Sequence, residues 1–162
     1  MSAKQIRILM VCTGNICRSP TAEVVLRALA ERDGLSHRLQ LDSAGTHGYH
    51  VGEAPDPRSQ KFAAKRGYDL SALRAREVLP GDFLEYDHIL SMDLNNLQNL
   101  SRNCPDSQRH KLALYLEFAL DQGDRIVPDP YYGQASDFEL VLDLCEQAAK
   151  ATLNKLFNNK VC

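Results

Sequence analysis

Ile6 to Val11 is a nearly continuous apolar run, the pattern of a strand buried on both faces. Ala22, Val25, Leu26, Leu29 and Ala30 then recur at i, i+3, i+4, i+7 and i+8. They predict an amphipathic helix with Ser19 as N-cap and Pro20 at its first position. Leu39 and Leu41 flank a second strand that ends at Asp42-Ser43-Ala44-Gly45. A loop rich in Gly, His and Pro spans Thr46 to Pro55, after which Asp56-Pro57 caps a helix running to Gly67. Tyr86 to Met92 reads as a third strand, and Asp93 caps a helix through about Arg102. Lys111 to Phe118 fits either strand or helix, and its first half is assigned to a fourth strand. Asp121 to Gln134 is a long polar loop. The last helix opens on Ser136-Asp137-Phe138-Glu139, a capping box, with an apolar stripe of Phe138, Val141, Leu142, Cys145, Ala149, Leu153 and Leu156. Strand and helix signals alternate throughout. They predict one α/β domain over residues 1–162, with an open doubly wound four-stranded parallel sheet and helices on both faces. Such sheets bind ligands beyond the C-terminal ends of their strands, and Cys12 falls at one of these ends.

Composition narrows the function classes. Lys+Arg 19 against Asp+Glu 21 gives a net charge of −2, so no global positive field recruits nucleic acid or anionic lipid. No run approaches the ~20 apolar residues of a membrane span. Residues 1–11 are too short and too mixed for a signal peptide. The odd count of 5 cysteines argues against a disulfide framework and for a reducing, cytoplasmic setting.

The chemistry concentrates in Val11-Cys12-Thr13-Gly14-Asn15-Ile16-Cys17-Arg18-Ser19-Pro20. A strand, a short Gly-containing loop and a helix N-terminus are the parts of an anion cradle, with backbone N–H groups and the helix dipole facing inward. A thiol on the floor of such a cradle is favoured as thiolate and becomes a strong nucleophile. Arg18 offers a planar donor fork that matches two oxygens of a tetrahedral oxyanion, phosphate above all. The loop reads as a nucleophile built into a phosphate site.

Here the chain resembles the low-molecular-weight protein tyrosine phosphatases, acid phosphatases of the phosphotyrosine phosphatase I-like fold. Their C-x4-C-R-S signature is matched from Cys12 to Ser19, and Asp129-Pro130-Tyr131-Tyr132 follows some 110 residues later. Ser43-Ala44-Gly45-Thr46 and Ser91-Met92-Asp93 also look like family segments, so the similarity spans essentially the whole chain. The resemblance implies a phosphotyrosine-protein phosphatase acting on phosphotyrosine proteins or small aryl phosphates through a cysteinyl-phosphate. In that scheme Cys12 is the nucleophile, and Arg18 with the N–H groups of Thr13, Gly14, Asn15, Ile16 and Cys17 binds the phosphoryl oxygens. Asp129 is the general acid, and Ser19 hydrogen-bonds the Cys12 sulfur. Asn15 and Ser43 fix the strained loop backbone. No metal or cofactor is implied, because the cationic cradle already neutralises the phosphoryl group. One departure stands out: the family often has a histidine in Ser-x-His-x-Ala-Arg to buttress the loop asparagine, and this chain has Leu73 there.

Simpler readings stand beside several of these roles. Cys17 is either a spare core thiol or a partner that traps oxidised Cys12. Asp129 could merely form a turn before Pro130. Tyr131 and Tyr132 wall the pocket, unless one of them packs in the core, and Tyr49 is the candidate for the opposite wall. His47 and His50 have no Cys/His spacing that suggests zinc. Cys145 lies on an apolar helix face, Cys104 and Cys162 show no chemical context, and Arg74 and Arg76 read as surface charges, with a role at the pocket rim left open. The nearest rival function is arsenate reductase, but its relay needs a further cysteine pair and none lies between Cys17 and Cys104. A phosphate-binding module without turnover would lack Cys12, Arg18 or Asp129, and a P-loop nucleotidase would need G-x-x-x-x-G-K-[ST]. Nothing in the sequence fixes an oligomeric state.

Overall fold

The structure, a computed structural model, describes residues 4–123 and 125–158; Cys162 lies outside them. Four strands, β1 (Ile6–Cys12), β2 (Leu39–Gly45), β3 (His88–Ser91) and β4 (Leu112–Leu114), pair in parallel in the order β2-β1-β3-β4. The chain leaves β1 to one side for β2 and crosses back for β3. A crevice therefore opens at the C-terminal ends between β1 and β3. The register brings Cys12 beside Gly45 and Val11 beside both Ala44 and Ser91, so the three strand ends finish nearly level.

Alternation along β1 divides its side chains between two cores. Ile8, Met10 and Cys12 face a cluster with α1 (Arg18–Arg32) and α6 (Ala135–Leu153), to which Val25, Leu26, Leu142 and Cys145 contribute. Leu9 and Val11 face the opposite cluster, built from Phe83 on α3 (Asp82–Glu85), Ile89 on β3 and Leu100 on α4 (Leu94–Asn103). Helices thus cover both faces, as the alternating pattern predicts. The remaining helices are α2 (Pro57–Lys65) and α5 (Tyr115–Ala119).

Asp56 caps α2 by accepting from the Arg58 N–H at 2.8 Å, and Gly67 closes the turn after it at φ 88°. Two expected caps are corrected. Helix α1 begins at Arg18 with Cys17 at the N-cap, because the Ser19 hydroxyl is drawn into the site instead. Helix α6 begins two residues earlier than its expected box. There the Gln134 N–H donates to Asp137 Oδ2 at 2.7 Å, and Ser136 lies inside the first turn. The third strand is shorter than expected, and the ambiguous segment divides at Leu114, with α5 following β4 at once.

Candidate active site

Residues 13–17 form the loop between β1 and α1, and its carbonyls turn outward. The Cys12, Thr13 and Ile16 carbonyls accept from the N–H groups of Thr46, His47 and Asp56 at 2.8, 3.0 and 2.8 Å. Among the described residues the N–H groups from Thr13 through Arg18 have no protein acceptor. A run of consecutive unpaired donors beside Cys12 has the make-up of an anion nest. Gly45 lets the loop pass, since a Cβ there would stand 2.6 Å from the Thr13 carbonyl oxygen.

Asn15 holds the loop in shape. It adopts φ 59°, the left-handed region, which costs a non-glycine residue about 1–3 kcal/mol. Three hydrogen bonds of about 1 kcal/mol each offset that strain. Asn15 Nδ2 donates to Ser19 Oγ at 2.8 Å and to Ser43 Oγ at 3.0 Å, and Asn15 Oδ1 accepts from the Arg76 N–H at 3.0 Å. Leu73 takes no part and packs partly buried against the larger core. Ser43 supplies one of these bonds and the Arg76 backbone another.

This network also sets the direction of the bond to Cys12. Ser19 Oγ already accepts from Asn15, so its single hydrogen is free to donate. Cys12 Sγ at 3.0 Å is the nearer acceptor, ahead of the Ala44 carbonyl at 3.5 Å. The thiol therefore receives a hydrogen bond from Ser19.

Arg18 is 2 % exposed yet carries its charge among anions. Its Nη1 donates to Asp93 Oδ2 at 2.6 Å and to the Val127 carbonyl at 3.1 Å. Its Nη2 faces Thr13 Oγ1 at 3.5 Å and Asp129 Oδ2 at 3.7 Å. Burial alone pushes the guanidinium down, and Cys12, Asp93 and Asp129 together hold it above its ordinary value. With Nη1 engaged, the Nε–Nη2 edge is the fork left for a ligand.

Asp93 is the positioning residue that sequence reasoning read only as a helix cap. It does both jobs, accepting from the Asn96 N–H with Oδ1 and from Arg18 with Oδ2. Asn96 then donates to Thr13 Oγ1 at 3.1 Å, tying α4 to the loop. Arg76 is likewise corrected from surface charge to strut. Its guanidinium bridges Asp42 and Asp82, at 3.1 and 2.9 Å, while its backbone holds Asn15. Arg74 stays exposed on its own loop.

A cleft of about 260 Å³ opens above the loop, lined by Cys12, Arg18, Tyr49, Asp129, Tyr131 and Tyr132 among others. Val127, wholly buried, anchors the Asp129 loop through its N–H to the Met92 carbonyl and its carbonyl to Arg18. Asp129 is half-exposed, and its Oδ1 accepts from the Tyr131 N–H at 3.1 Å. Tyr131 and Tyr132 meet edge to face at 4.9 Å, and Arg58 lies 5.4 Å over the Tyr131 ring. Tyr132 is 96 % exposed and Tyr49 70 %, so neither is core packing. His50, which the sequence weighs only as a metal ligand, also lines the cleft. Its ring edge covers Gly14, where a Cβ would stand 2.9 Å away, and Nδ1 pairs with Glu53 at 3.0 Å. No spacing signal marks that contact; only the lack of a side chain at Gly14 permits it.

Cys104 and Cys145 are buried, and burial pushes both thiols up, Cys145 to about 12. Cys17 is also buried and is pushed up to about 12, against a weaker opposing hydrogen bond from Ser59. Among the described residues no three His, Cys, Asp or Glu side chains come together to hold a metal ion, nor is any helix long and apolar enough to cross a membrane.

Known proteins share this arrangement. The family model for low molecular weight phosphotyrosine protein phosphatase matches residues 7–161. The human low molecular weight phosphotyrosine protein phosphatase is 41% identical over 149 residues, covering 91% of this chain and 94% of its own. Its Schizosaccharomyces pombe namesake is 44% identical over 136 residues, or 83% and 86% of the two chains. A crystal structure of the Entamoeba histolytica protein tyrosine phosphatase with Hepes in the active site superposes at TM-score 0.91 with 36% identity, over 97% of this chain and 100% of that one. Vibrio vulnificus Wzb in complex with benzylphosphonate superposes at TM-score 0.80 with 27% identity, over 93% and 98%. With fold and sequence in agreement along nearly its whole length, this chain belongs to the low molecular weight phosphotyrosine protein phosphatase family, whose enzyme class is the protein-tyrosine phosphatases.

Proposed function

We propose that the cleft hydrolyses aryl phosphate monoesters, phosphotyrosine on proteins among them, through a cysteinyl-phosphate. The observation that carries this reading is the run of unpaired N–H groups from Thr13 to Arg18 next to a thiol that accepts from Ser19. The Cys12 thiolate attacks phosphorus in line and the aryl oxygen leaves, so one hard displacement becomes two easier ones. The loop N–H groups and the free edge of Arg18 hold the equatorial oxygens, where transition-state charge resides. Asp129 protonates the leaving oxygen and then takes a proton from the water that cleaves the S–P bond. Ser19 steadies the sulfur each time it departs as thiolate. Tyr49, Tyr131 and Tyr132 flank the aryl group, offering ring faces and edges to it. The oxyanion character of the ligands in the E. histolytica and V. vulnificus structures, a sulfonate buffer and a phosphonate, supports a site built for tetrahedral anions. The odd count of cysteines supports a cytoplasmic setting.

Rapid mixing with p-nitrophenyl phosphate tests the covalent step. An early burst of about one p-nitrophenolate per enzyme, followed by slower steady release, is expected where the intermediate accumulates. Acid quenching during that phase should trap phosphate on the peptide carrying Cys12. Turnover with no phosphopeptide under any quench would overturn the covalent route.

The environment of Cys17 bears on its proposed redox role. Peroxide should oxidise Cys12 quickly and reversibly near neutral pH, giving a sulfenic acid. Cys17 resolves it only as thiolate, and burial keeps Cys17 a thiol until about 12. Disulfide formation between Cys12 and Cys17 should therefore accelerate about tenfold per pH unit between 6 and 8, as read by mass mapping after a fixed pulse. Oxidation at Cys12 alone with Cys17 always free would reduce Cys17 to a core thiol, and a disulfide yield independent of pH would mean that formation of the Cys17 thiolate does not limit the step.

A further inference from the structure

Glu23, in the second turn of α1, is a charged side chain only 3 % exposed that the proposed chemistry leaves unused. Its Oε2 is ion-paired with Nη2 of Arg27 one turn along the helix. The same Nη2 donates to the Leu41 carbonyl on β2 at 3.3 Å. Its Oε1 is buried with no hydrogen-bond partner among the described residues, a costly state for a carboxylate oxygen. Ser43 is the complementary group. Its Oγ accepts from Asn15, and its own hydrogen has no acceptor among the described residues. Burial pushes the Glu23 carboxyl up, and Arg27 and then the Ser43 hydroxyl pull it part of the way back. Arg27 Nη2 joins Glu23 to the Leu41 carbonyl, two residues before Ser43 on the same strand, so the unused acceptor on α1 lies against the strand that carries the unused donor.

We propose that Glu23 and Arg27 are positioning residues for the phosphate loop: Arg27 holds Glu23 Oε2, which turns Oε1 to accept the Ser43 hydroxyl. The inference rests on the reading of Cys12 as the nucleophile. Polarity then passes along the chain of bonds. Ser43 gives its hydrogen to Glu23 and presents a lone pair to Asn15 Nδ2. Asn15 keeps Oδ1 on the Arg76 N–H and directs its other Nδ2 hydrogen to Ser19. Ser19 has one hydrogen left, and it points to Cys12 Sγ. With Leu73 silent, the ionic end of this buttress comes from α1 itself. The other charge facing Glu23 is Asp42 on β2, which Arg76 already holds. Around Cys12 the charged or titratable groups are Arg18 and Cys17 from the loop, Cys145 from α6, and, across the cleft, Tyr49, His50, Asp129, Tyr131 and Tyr132.

The test measures the Cys12 thiolate directly, as the pH dependence of alkylation by iodoacetamide without substrate. Arg27→Leu should raise the midpoint by about one pH unit, slowing alkylation about tenfold below it, and should lower kcat on an aryl phosphate by a similar factor. Arg27→Lys should recover both, because an ammonium also holds Glu23 Oε2. Glu23→Gln should shift the midpoint in the same direction. In a Ser43→Ala background it should add nothing further, since the link is already cut. Midpoints unmoved in both Arg27→Leu and Glu23→Gln would overturn the relay. Additive shifts in the Glu23→Gln/Ser43→Ala double variant would do the same. If circular dichroism shows Arg27→Leu to be unfolded, the Glu23 and Ser43 cycle decides. A wild-type burst on p-nitrophenyl phosphate with unmoved midpoints defeats the relay alone. Absence of turnover in the wild type defeats the phosphatase reading while leaving the alkylation test intact.

Discussion

Cys12→Ser should bring turnover on an aryl phosphate to background while inorganic phosphate still binds. A serine hydroxyl at the floor of the cradle is not ionised near neutral pH, so the attacking group is lost. Removing a nucleophile that works within a unit typically costs on the order of 10⁶-fold in kcat. The rest of the site survives the change. The N–H groups of Thr13 to Arg18 are shaped by Asn15 and by carbonyls pinned to Thr46, His47 and Asp56, none of which touches the sulfur. Arg18 keeps Asp93 and Val127. Phosphate should even bind somewhat more tightly, because the anion no longer meets a thiolate beneath it. Calorimetry with phosphate and a p-nitrophenol assay on the same preparation settle both halves. Residual turnover above about a hundredth of wild type would remove Cys12 from the nucleophile role, since background after such a loss lies far below it.

Local chemistry carried the sequence reading a long way. The strand into Cys12, the loop with its arginine and the caps at Asp56 and Asp93 all depend on neighbours a few residues apart, and all are present. What stayed hidden depends on distant pairing. Asp93 lies 75 residues from Arg18, and a residue that already satisfies a helix N-terminus gives no sign of a second partner. Arg76 was read as a surface charge because its carboxylates, Asp42 and Asp82, come from two other elements. His50 reaches the cleft only through the close approach that Gly14 allows. Element boundaries failed for a related reason. No glycine or proline separates Leu114 from Tyr115, so nothing in the pattern marks where β4 ends and α5 begins. Ser19 is the instructive error. Its residue type and position fit an N-cap, but the sulfur of Cys12 and the amide of Asn15 compete for the hydroxyl and win. The local rule gives way where the site needs the same side chain.

Asp129→Asn should slow the first chemical step in proportion to how badly the leaving oxygen needs a proton. Losing a general acid costs about 10²–10⁴-fold when the departing group is a poor one. Phosphotyrosine expels a phenolate whose conjugate acid has a pKa near 10, whereas p-nitrophenolate departs readily without help. Single-turnover measurements should therefore show a large loss on phosphotyrosine and a much smaller one on p-nitrophenyl phosphate. Asparagine fits the site. Its Oδ1 can keep the Tyr131 N–H that Asp129 Oδ1 holds at 3.1 Å, and the 3.7 Å approach to Arg18 is too long to anchor the loop. Val127 provides that anchor, between Met92 and Arg18, so the melting temperature should stay close to wild type. Phosphate affinity should change little, because the N–H cradle and the free edge of Arg18 are untouched. The limb of the pH–rate profile on which the acid loses its proton should disappear for phosphotyrosine. Equal slowing of both substrates, with that limb intact, would give Asp129 a positioning role through Arg18 and Tyr131 and would assign the proton to another donor at the cleft, with His50 the first to substitute.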